Sequence, residues 1–359
     1  VTDVLIWMDE NAKIHAKSQE VKVNLYGLKV DIDGILGDLL GWLIDILVKT
    51  FTKTIEEAIE QQIVDLIDKT LTDLLGKFEI HETFEIPAIL SSPPTALSLY
   101  TKPGMLDVQP EGIWLDMGGT IYSKKGVNRN PLGSIARANC LNPKPQFFEM
   151  PRNRDIGLAA HDDILNQALF ALWWTGTLNF TLNEETLAGV DMSKVPVRDL
   201  DVKLNFLLPP MLTDCGAEGK VRLQIGDLFA EGTMIFLGNN LELTLFLQAE
   251  VDANLTLVEG EEGPEVALSI DGTPLLDIEL LTVNEDFPVS KEDLIELLEG
   301  DLISSLLKDL AGKELFSFAI PKVDLSSLAN EIPERTELDI VFTNLYREGG
   351  FTVAQGYLR

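Results

Sequence analysis

Hydrophobic and polar residues follow two different periods along this chain. From residue 34 to 78, and again from 290 to 310, apolar residues recur every three or four positions, which predicts two long amphipathic helices. Ser290 and Asp293 at the start of the second run are typical of an N-terminal helix cap. The apolar positions of the first run are Leu36, Leu40, Leu43, Leu47, Phe51, Ile55, Ile59, Ile63, Ile67, Leu71 and Leu75.

Much of the remaining chain alternates apolar with polar residues, which is the period of a strand with one buried face. The longest run extends from Leu241 to Leu257, and residues 266–270 are expected to return beside it after a turn at 260–263. A shorter helix is predicted over 162–174, ending before Gly176. A helix inside a curled sheet would enclose an apolar tube, so function is expected to depend on what the tube holds. Further strands are predicted at 200–208, within 97–122, and at 315–320, 338–342 and 351–357.

The formal net charge is −30, from 28 basic and 58 acidic side chains. This charge argues against nucleic acid as a partner, because phosphate binding needs Lys and Arg, and against docking on anionic membranes. Basic residues are dense only between 124 and 154, in a segment that we interpret as a linker or surface loop rather than a docking site. No apolar run is long enough to span a bilayer. The chain begins at Val1 without Met, which we interpret as a mature or trimmed form.

The sequence predicts that the protein is not an enzyme. A catalytic site would need a nucleophile beside a base, a metal cluster or a phosphate cradle. The three histidines, His15, His81 and His161, lie far apart, and no zinc-protease, Gly-x-Ser-x-Gly or phosphate-loop motif occurs. His161 and the two acids after it are interpreted as a helix start, where the helix dipole favours negative charge. No metal or cofactor is expected.

Three parts of the chain carry a family resemblance. They are GWLIDILVKTFTKTIEEAIEQQIVDLIDKTL (41–71) with LDVQPEGIWLDMGGTIYS (106–123), HDDILNQALFALWWTGTLNFTL (161–182), and ELDIVFTNLYREGGFTVAQGYL (337–358). In their order and spacing they resemble the family of bactericidal permeability-increasing protein, lipopolysaccharide-binding protein and the plasma lipid-transfer proteins, which is the tubular lipid-binding superfamily.

This resemblance implies an α+β fold, an elongated tubular lipid-binding fold in which highly curved antiparallel sheets wrap long amphipathic helices in two barrels joined by a central sheet. It implies a partial or short first barrel over 1–100 with the helix 34–78, central-sheet strands and a linker over 101–155, and a second barrel over 156–359. Family members normally begin with a further long helix and several strands, whereas only about a hundred residues precede the central stretch here, so we interpret the sequence either as a trimmed fragment or as having an incomplete first barrel. Members that neutralise endotoxin also have a basic tip, whereas this chain is acidic, so lipid binding is expected without that activity.

The expected function is non-catalytic binding and transfer of phospholipid or another long-chain lipid in an apolar tubular pocket, with transient membrane contact. The alternative is an interaction protein with a filled core, in which the same residues pack on the sheet and the outer surface tethers a partner. The resemblance implies an extracytoplasmic location, secreted or periplasmic. Cys140 and Cys215 could pair there or remain two buried thiols, which spacing alone does not decide. The residues expected to contact lipid are Leu40, Leu43, Leu47, Phe51, Leu169, Leu172, Trp173, Leu298 and Leu302.

Overall fold

The structure is a computed structural model, and it describes part of the chain. The described residues are 2–22, 53, 56–57, 59–65, 68–69, 72, 76, 79–86, 92–109, 112–127, 132–135, 140, 156–186, 197–216, 219–260, 263–303, 314–319, 323–324, 337–338 and 340–358. The chain divides into two compact units. The first comprises Val1–Ile80, Tyr100–Gly119 and Asp324–Thr336, and the second comprises His81–Leu99, Thr120–Val323 and Glu337–Arg359.

The first unit contains an antiparallel hairpin of β1 (Thr2–Met8) and β2 (Ile14–Val21). Ile14 and Ala16 bury one face of β2. The described residues between 53 and 76 are helical and bond to that strand, since the backbone N–H of Ala16 donates to Thr72 Oγ1 at 3.2 Å and the Ser18 hydroxyl donates to Asp68 at 2.8 Å. Residues 34–52 lie outside the described part, so the helix predicted over 34–78 is seen only in its second half.

The strands predicted within 97–122 are present. They are β4 (Thr95–Gln109) and β5 (Gly112–Tyr122), which follow β3 (Ile80–Ile86) in a sheet of order β3-β4-β5.

The main sheet of the second unit is antiparallel and has seven strands among the described residues. Its order is β13-β12-β11-β10-β8-β7, with β9 paired to β10 beside that path. The predicted long strand and its hairpin partner are confirmed, with Gly260 opposite Gly263 at the turn. The strands are β7 (Phe180–Asn183), β8 (Val197–Phe206), β9 (Met211–Thr213), β10 (Val221–Phe236), β11 (Asn239–Gly260), β12 (Gly263–Val283) and β13 (Glu314–Ala319).

A smaller sheet of the second unit has the order β16-β17-β6. It pairs β16 (Ile340–Glu348) with β17 (Phe351–Leu358) and β17 with β6 (Ile156–His161), all antiparallel. The chain passes directly from β6 into a helix, so this sheet fixes the point where the helix begins. Two short strands, β14 (Val323–Asp324) and β15 (Glu337–Leu338), pair with each other.

Helix α1 (Asp162–Thr175) matches its prediction at both ends. The His161 side chain accepts a hydrogen bond from the backbone N–H of Asp163, and Gly176 ends the helix in the left-handed conformation with φ 79°. The predicted helix start at His161 is confirmed.

The helix predicted over 290–310 is seen in part, and its winding changes along its length. Ser290 caps α2 (Lys291–Leu297) as expected, but Leu298–Ile303 winds as a π-helix, and residues 304–310 lie outside the described part. Gly300 lies in this wider turn, and glycine disfavours regular α-helix. Extended antiparallel sheets carrying helices are thus present, and the described residues are mostly strand. The two barrels and their boundaries at 100 and 155 stay predictions.

Candidate apolar binding site

The strands of the main sheet align their apolar residues on one side, which we call the inner face. One row across β8, β10, β11 and β12 is Leu204, Ala230, Leu245 and Leu280, and the next is Phe206, Leu228, Leu247 and Ile278. Towards the other end of the strands, Val221, Ala253 and Ile270 form a further row. Period-two alternation along each strand therefore becomes a continuous apolar surface across four strands.

A bulge in β10 keeps this surface continuous. The register of β10 with β11 shifts between Ile225 and Leu228, and Asp227 in the bulge has φ 45°. Apolar residues occupy odd positions before the bulge, as at Leu223, and even positions after it, as at Leu228. Without the extra residue, half of β10 would turn its apolar side chains to the opposite face. This change of parity is readable in the sequence.

One end of the inner face is closed by α2. Leu294 and Leu298 are 0% and 2% exposed. They belong to a larger cluster of buried residues, which we call the distal cluster and which extends from Phe236, Leu241 and Phe287 at this end to Ala230, Leu245 and Ile278 on the sheet. Protein side chains therefore fill the volume at this end.

Helix α1 packs on the opposite end of the inner face. Trp173 is fully buried against Phe206 and Leu228, and its indole Nε1 donates to the Phe206 carbonyl at 2.7 Å. One turn or two earlier, Leu165 and Leu169 pack on a second cluster formed by Leu212, Val221 and Ala253. The helix therefore contacts the sheet along its length.

Most apolar side chains of α1 nevertheless keep accessible surface. Within the helix, Ala171 and Trp173 are the buried apolar residues, whereas Leu169 and Leu172 are only half-buried and Phe170 is 41% exposed. On the inner face, Leu204 and Leu247 contact both the distal cluster and the Trp173 cluster, and both are half-buried. Apolar surface that the protein does not cover thus lies on the helix and on the sheet where the two clusters meet.

Two polar contacts hold the first half of α1. The Asn166 side chain exchanges two hydrogen bonds with the backbone of Leu212, at 2.7 and 2.8 Å. Asp162, the first helical residue, accepts from Nη1 and Nη2 of Arg347 at 2.6 and 2.7 Å, and its backbone N–H donates to the Gly350 carbonyl at 2.9 Å. Together with the Trp173 indole bond, these directional contacts help the apolar packing to set the position of the helix.

Arg347 is charged in spite of its burial, since its side chain is only 4% exposed. Burial alone would lower the pKa of its guanidinium, but hydrogen bonds and charge attraction from Asp162 and then Asp214 outweigh this effect and raise the pKa above its usual value. Nη2 also donates to Asp214 at 3.0 Å, and Nη1 donates to Thr352 Oγ1 at 2.9 Å. A permanent cation therefore joins β16 to the start of α1.

Cys140 and Cys215 form a disulfide, with their Cα atoms 5.1 Å apart across a sequence separation of 75. The pairing that the sequence left open is settled in favour of the bridge. Cys215 follows β9, the strand that bonds to Asn166. The disulfide therefore holds the end of β9, the strand whose backbone bonds to helix α1.

The structure brings some of the predicted lipid-contacting residues together and separates others. Leu169, Leu172 and Trp173 lie on α1, whereas Leu298 lies in the distal cluster. Leu40, Leu43, Leu47 and Phe51 lie outside the described residues, and the side chain of Leu302 is likewise not described. Trp173 and Leu298 are enclosed by protein side chains, so Leu169 and Leu172 are the accessible pair of this set.

Sequence reasoning missed the residues that position the helix. Asn166 carried a signal, because Asn is unfavourable inside helices and stands here beside Gln167 in a predicted helix whose other residues from Ile164 to Trp174 are apolar. Leu204 and Leu247 belonged to predicted strands, but alternation alone does not distinguish them from their buried neighbours. No signal pointed to Arg347, whose partner Asp162 is 185 positions away.

Two other kinds of feature, a metal site and a membrane-spanning helix, can be considered for the described part of the chain. Within it, no group of three or more His, Cys, Asp or Glu is arranged to hold a metal ion. Among the same residues, no helix is both long enough and apolar enough to cross a membrane.

No protein-family model matches the chain, and no curated protein matches it. Among solved structures, the chain is similar to one described as the crystal structure of lipopolysaccharide binding protein. The TM-score is 0.41 and the sequence identity 15%, over 100% of this chain and 73% of that chain. A likeness at this level assigns neither family nor ligand.

Proposed function

We propose that this protein binds a long-chain lipid such as a phospholipid on the inner face of the main sheet, without catalysis, and transfers it between membranes. The observation that carries the proposal is the state of helix α1. Most of its side chains are apolar, yet Leu169 and Leu172 remain half-buried while polar contacts hold the helix in place. A helix that served only as core would bury such residues.

The energy of binding would come from apolar burial. Each lipid methylene removed from water contributes about 0.8 kcal/mol, so two acyl chains need no specific polar contact to bind tightly. Selectivity for the chains is then loose, and the net charge of −30 has little influence on the apolar part of the interaction.

The proposed lipid-contacting residues begin with the accessible ones. Leu169 and Leu172 of α1 would contact acyl chains together with Leu204 and Leu247 of the sheet. Trp173 and Leu298 would form the closed ends of the binding surface. The other proposed contacts rest on the sequence pattern alone, and they are Leu40, Leu43, Leu47, Phe51 and Leu302.

Location and domain organisation belong to the same proposal. A carrier of this kind works outside the cytoplasm, secreted or periplasmic, and the Cys140–Cys215 disulfide supports such an oxidising compartment. We also propose a partial first barrel over 1–100, central strands and a linker over 101–155, and a second barrel over 156–359. Brief membrane contact would allow lipid to enter and leave.

The test is the lipid content of protein purified without detergent. Solvent extraction followed by mass spectrometry should return long-chain lipid in stoichiometric amount, and native mass spectrometry should show the matching mass. Protein stripped of lipid should then take up a pyrene-labelled phosphatidylcholine from vesicles. Empty protein that takes up no labelled lipid would refute the proposal.

A second candidate function is tethering through the outer surface with a filled core. The distal cluster favours it, because Leu294 and Leu298 leave no space at that end. Under this alternative the half-buried residues of α1 would be covered by a protein partner instead of lipid. Failure of both lipid experiments, with retention of a partner protein during purification, would support it.

A further inference from the structure

The buried ion pair at the start of α1 is connected to the disulfide. Asp214 lies directly before Cys215, and its backbone N–H donates to the carbonyl of Cys140 at 3.1 Å. Its carboxylate accepts from Arg347 at 3.0 Å. The disulfide therefore fixes the short segment that presents Asp214 to the guanidinium.

Arg347 in turn joins its own strand to two other parts of the second unit. It belongs to β16, binds Asp162 at the start of α1 through two hydrogen bonds, and binds Asp214 after β9. A paired guanidinium with two carboxylates has a narrow range of favourable geometries. The direction of α1 at its first turn is thereby tied to the geometry of Arg347.

On the basis of the proposed function, we propose that Arg347 is a positioning residue for the lipid-contacting helix α1, and that the Cys140–Cys215 disulfide supports it through Asp214. Most apolar side chains of α1 keep accessible surface, so directional contacts act together with the packing of Trp173 to keep the helix in register with the inner face. Loosening the Arg347 contact lets the first turns of α1 move, which opens the apolar surface and speeds lipid release.

The first test uses a paired substitution. Arg347→Met alone would leave Asp162 buried without a partner and could prevent folding, so it is combined with Asp162→Asn. The control is Arg222→Gln with Asp252→Asn, which removes an ion pair of 2.9 Å between β10 and β11 within the main sheet. Each protein is loaded with pyrene-labelled phosphatidylcholine, and dissociation into excess unlabelled vesicles is followed by fluorescence.

We expect dissociation to be about tenfold faster for the Arg347 and Asp162 variant and changed less than about twofold for the control. Thermal unfolding of both variants checks that the difference does not follow stability alone. A folded Arg347 and Asp162 variant that releases lipid at the wild-type rate would overturn the inference.

The second test needs neither a double variant nor lipid. Dithiothreitol reduces the disulfide by supplying two electrons and two protons, which gives two cysteine thiols and the cyclic disulfide of the reagent. Hydrogen exchange of the α1 amides should then become faster, as it should in Asp214→Asn. Unchanged exchange in both cases would refute the positioning role. If the wild-type protein carries no lipid but α1 exchange responds as expected, the proposed function fails while the positioning of α1 by Arg347 stands.

Discussion

Asn166 and Leu212 are joined by two hydrogen bonds, which take the place of the backbone bonds that a neighbouring strand would make. The backbone N–H of Leu212 donates to Asn166 Oδ1 at 2.7 Å, and Asn166 Nδ2 donates to the Leu212 carbonyl at 2.8 Å. Leu212 is 2% exposed, so water cannot take over these bonds. The side chain of a helical residue thus completes the free side of β9, whose other side pairs with β10.

Replacing Asn166 with Ala should destabilise the protein. Both backbone groups of Leu212 would remain buried without a partner, which costs about 2–3 kcal/mol in the free energy of unfolding. Denaturant unfolding measures this change. Asn239→Ala is the control, because Asn239 is an exposed turn residue with a bond of 3.3 Å to Leu237, and it should change stability by less than about 0.5 kcal/mol. Equal effects of the two substitutions would contradict the assigned role.

A close approach of two strands makes Gly232 irreplaceable. A Cβ atom there would collide with the carbonyl of Asp201 and lie 2.6 Å from the Cα of Val202, both backbone atoms of β8. Gly232→Ala should therefore lower the free energy of unfolding by about 1–3 kcal/mol. Gly76→Ala is the control, since among the described residues no atom outside the glycine's own helix backbone and chain neighbours lies within 4 Å of the Cβ position. That change should be neutral or stabilising by up to about 1 kcal/mol, and a destabilised Gly76→Ala would show that the comparison does not isolate the clash.

The turn between β10 and β11 holds a leucine in an unfavourable backbone conformation. Leu237 and Gly238 have φ 51° and 82°, and Phe236 pairs with Asn239, as in a two-residue type I′ turn that favours Asn-Gly. Leu237 is 49% exposed, so little burial is lost on replacement. Leu237→Asn should raise the free energy of unfolding by about 1 kcal/mol. Leu237→Ala keeps the unfavourable backbone and should give no such gain, so equal stabilisation by Ala would exclude this explanation.

The contacts of the Asp271 carboxyl group should make the stability of the protein depend on pH. Lys220 Nζ lies 2.7 Å from Asp271 Oδ2 and Asn254 Nδ2 donates to the same oxygen at 2.7 Å, and these bonds, Lys220 first, lower the pKa of the Asp271 carboxyl. The folded-state pKa thus lies below the unfolded value of about 3.9. The contacts stabilise the protein above that value, and this stabilisation is lost as the pH falls through the folded-state pKa.

Asp271→Asn should therefore lower the unfolding temperature at neutral pH, and the difference from wild type should shrink towards about pH 3. Glu279→Gln removes an equal charge from the same strand and controls for net charge. A difference that is the same at both pH values would show that the carboxylate charge is not responsible.

Local signals account for the parts of the fold that the sequence predicted. The alternation from Leu241 to Leu257 fixed the long strand, and His161 and Gly176 fixed the ends of α1, because caps and strand periods depend on neighbouring residues. The π-helix after Leu297 was not predicted, since apolar spacing alone does not separate α from π winding.

Contacts between distant residues account for what the sequence did not reveal. The pairing of Cys140 with Cys215 and the ion pair of Arg347 with Asp162 depend on how strands far apart in sequence come together. The types of these residues alone do not predict either contact. Accessibility is likewise a property of the folded sheet, so Leu169 and Leu298 were predicted alike although one is half-buried and the other 2% exposed.

Leu169 and Leu172 provide the sharpest test of where lipid binds. If acyl chains lie on this side of α1, Leu169→Trp or Leu172→Trp should displace methylenes from the surface and weaken binding by about 0.8 kcal/mol for each one lost. Lipid per protein after purification, measured by extraction and mass spectrometry, should fall while thermal unfolding remains cooperative. Leu298→Trp should instead disturb folding, because its site in the distal cluster is already filled.

The control for these substitutions is Phe246→Trp. Phe246 is half-buried and pairs with Phe229, and its position between Leu245 and Leu247 turns it to the face opposite the proposed lipid. It should leave lipid content unchanged. A Leu169→Trp or Leu172→Trp protein that folds and carries the full amount of lipid would show that α1 does not line the binding surface, and the filled-core tether would then be the better description of the inner face.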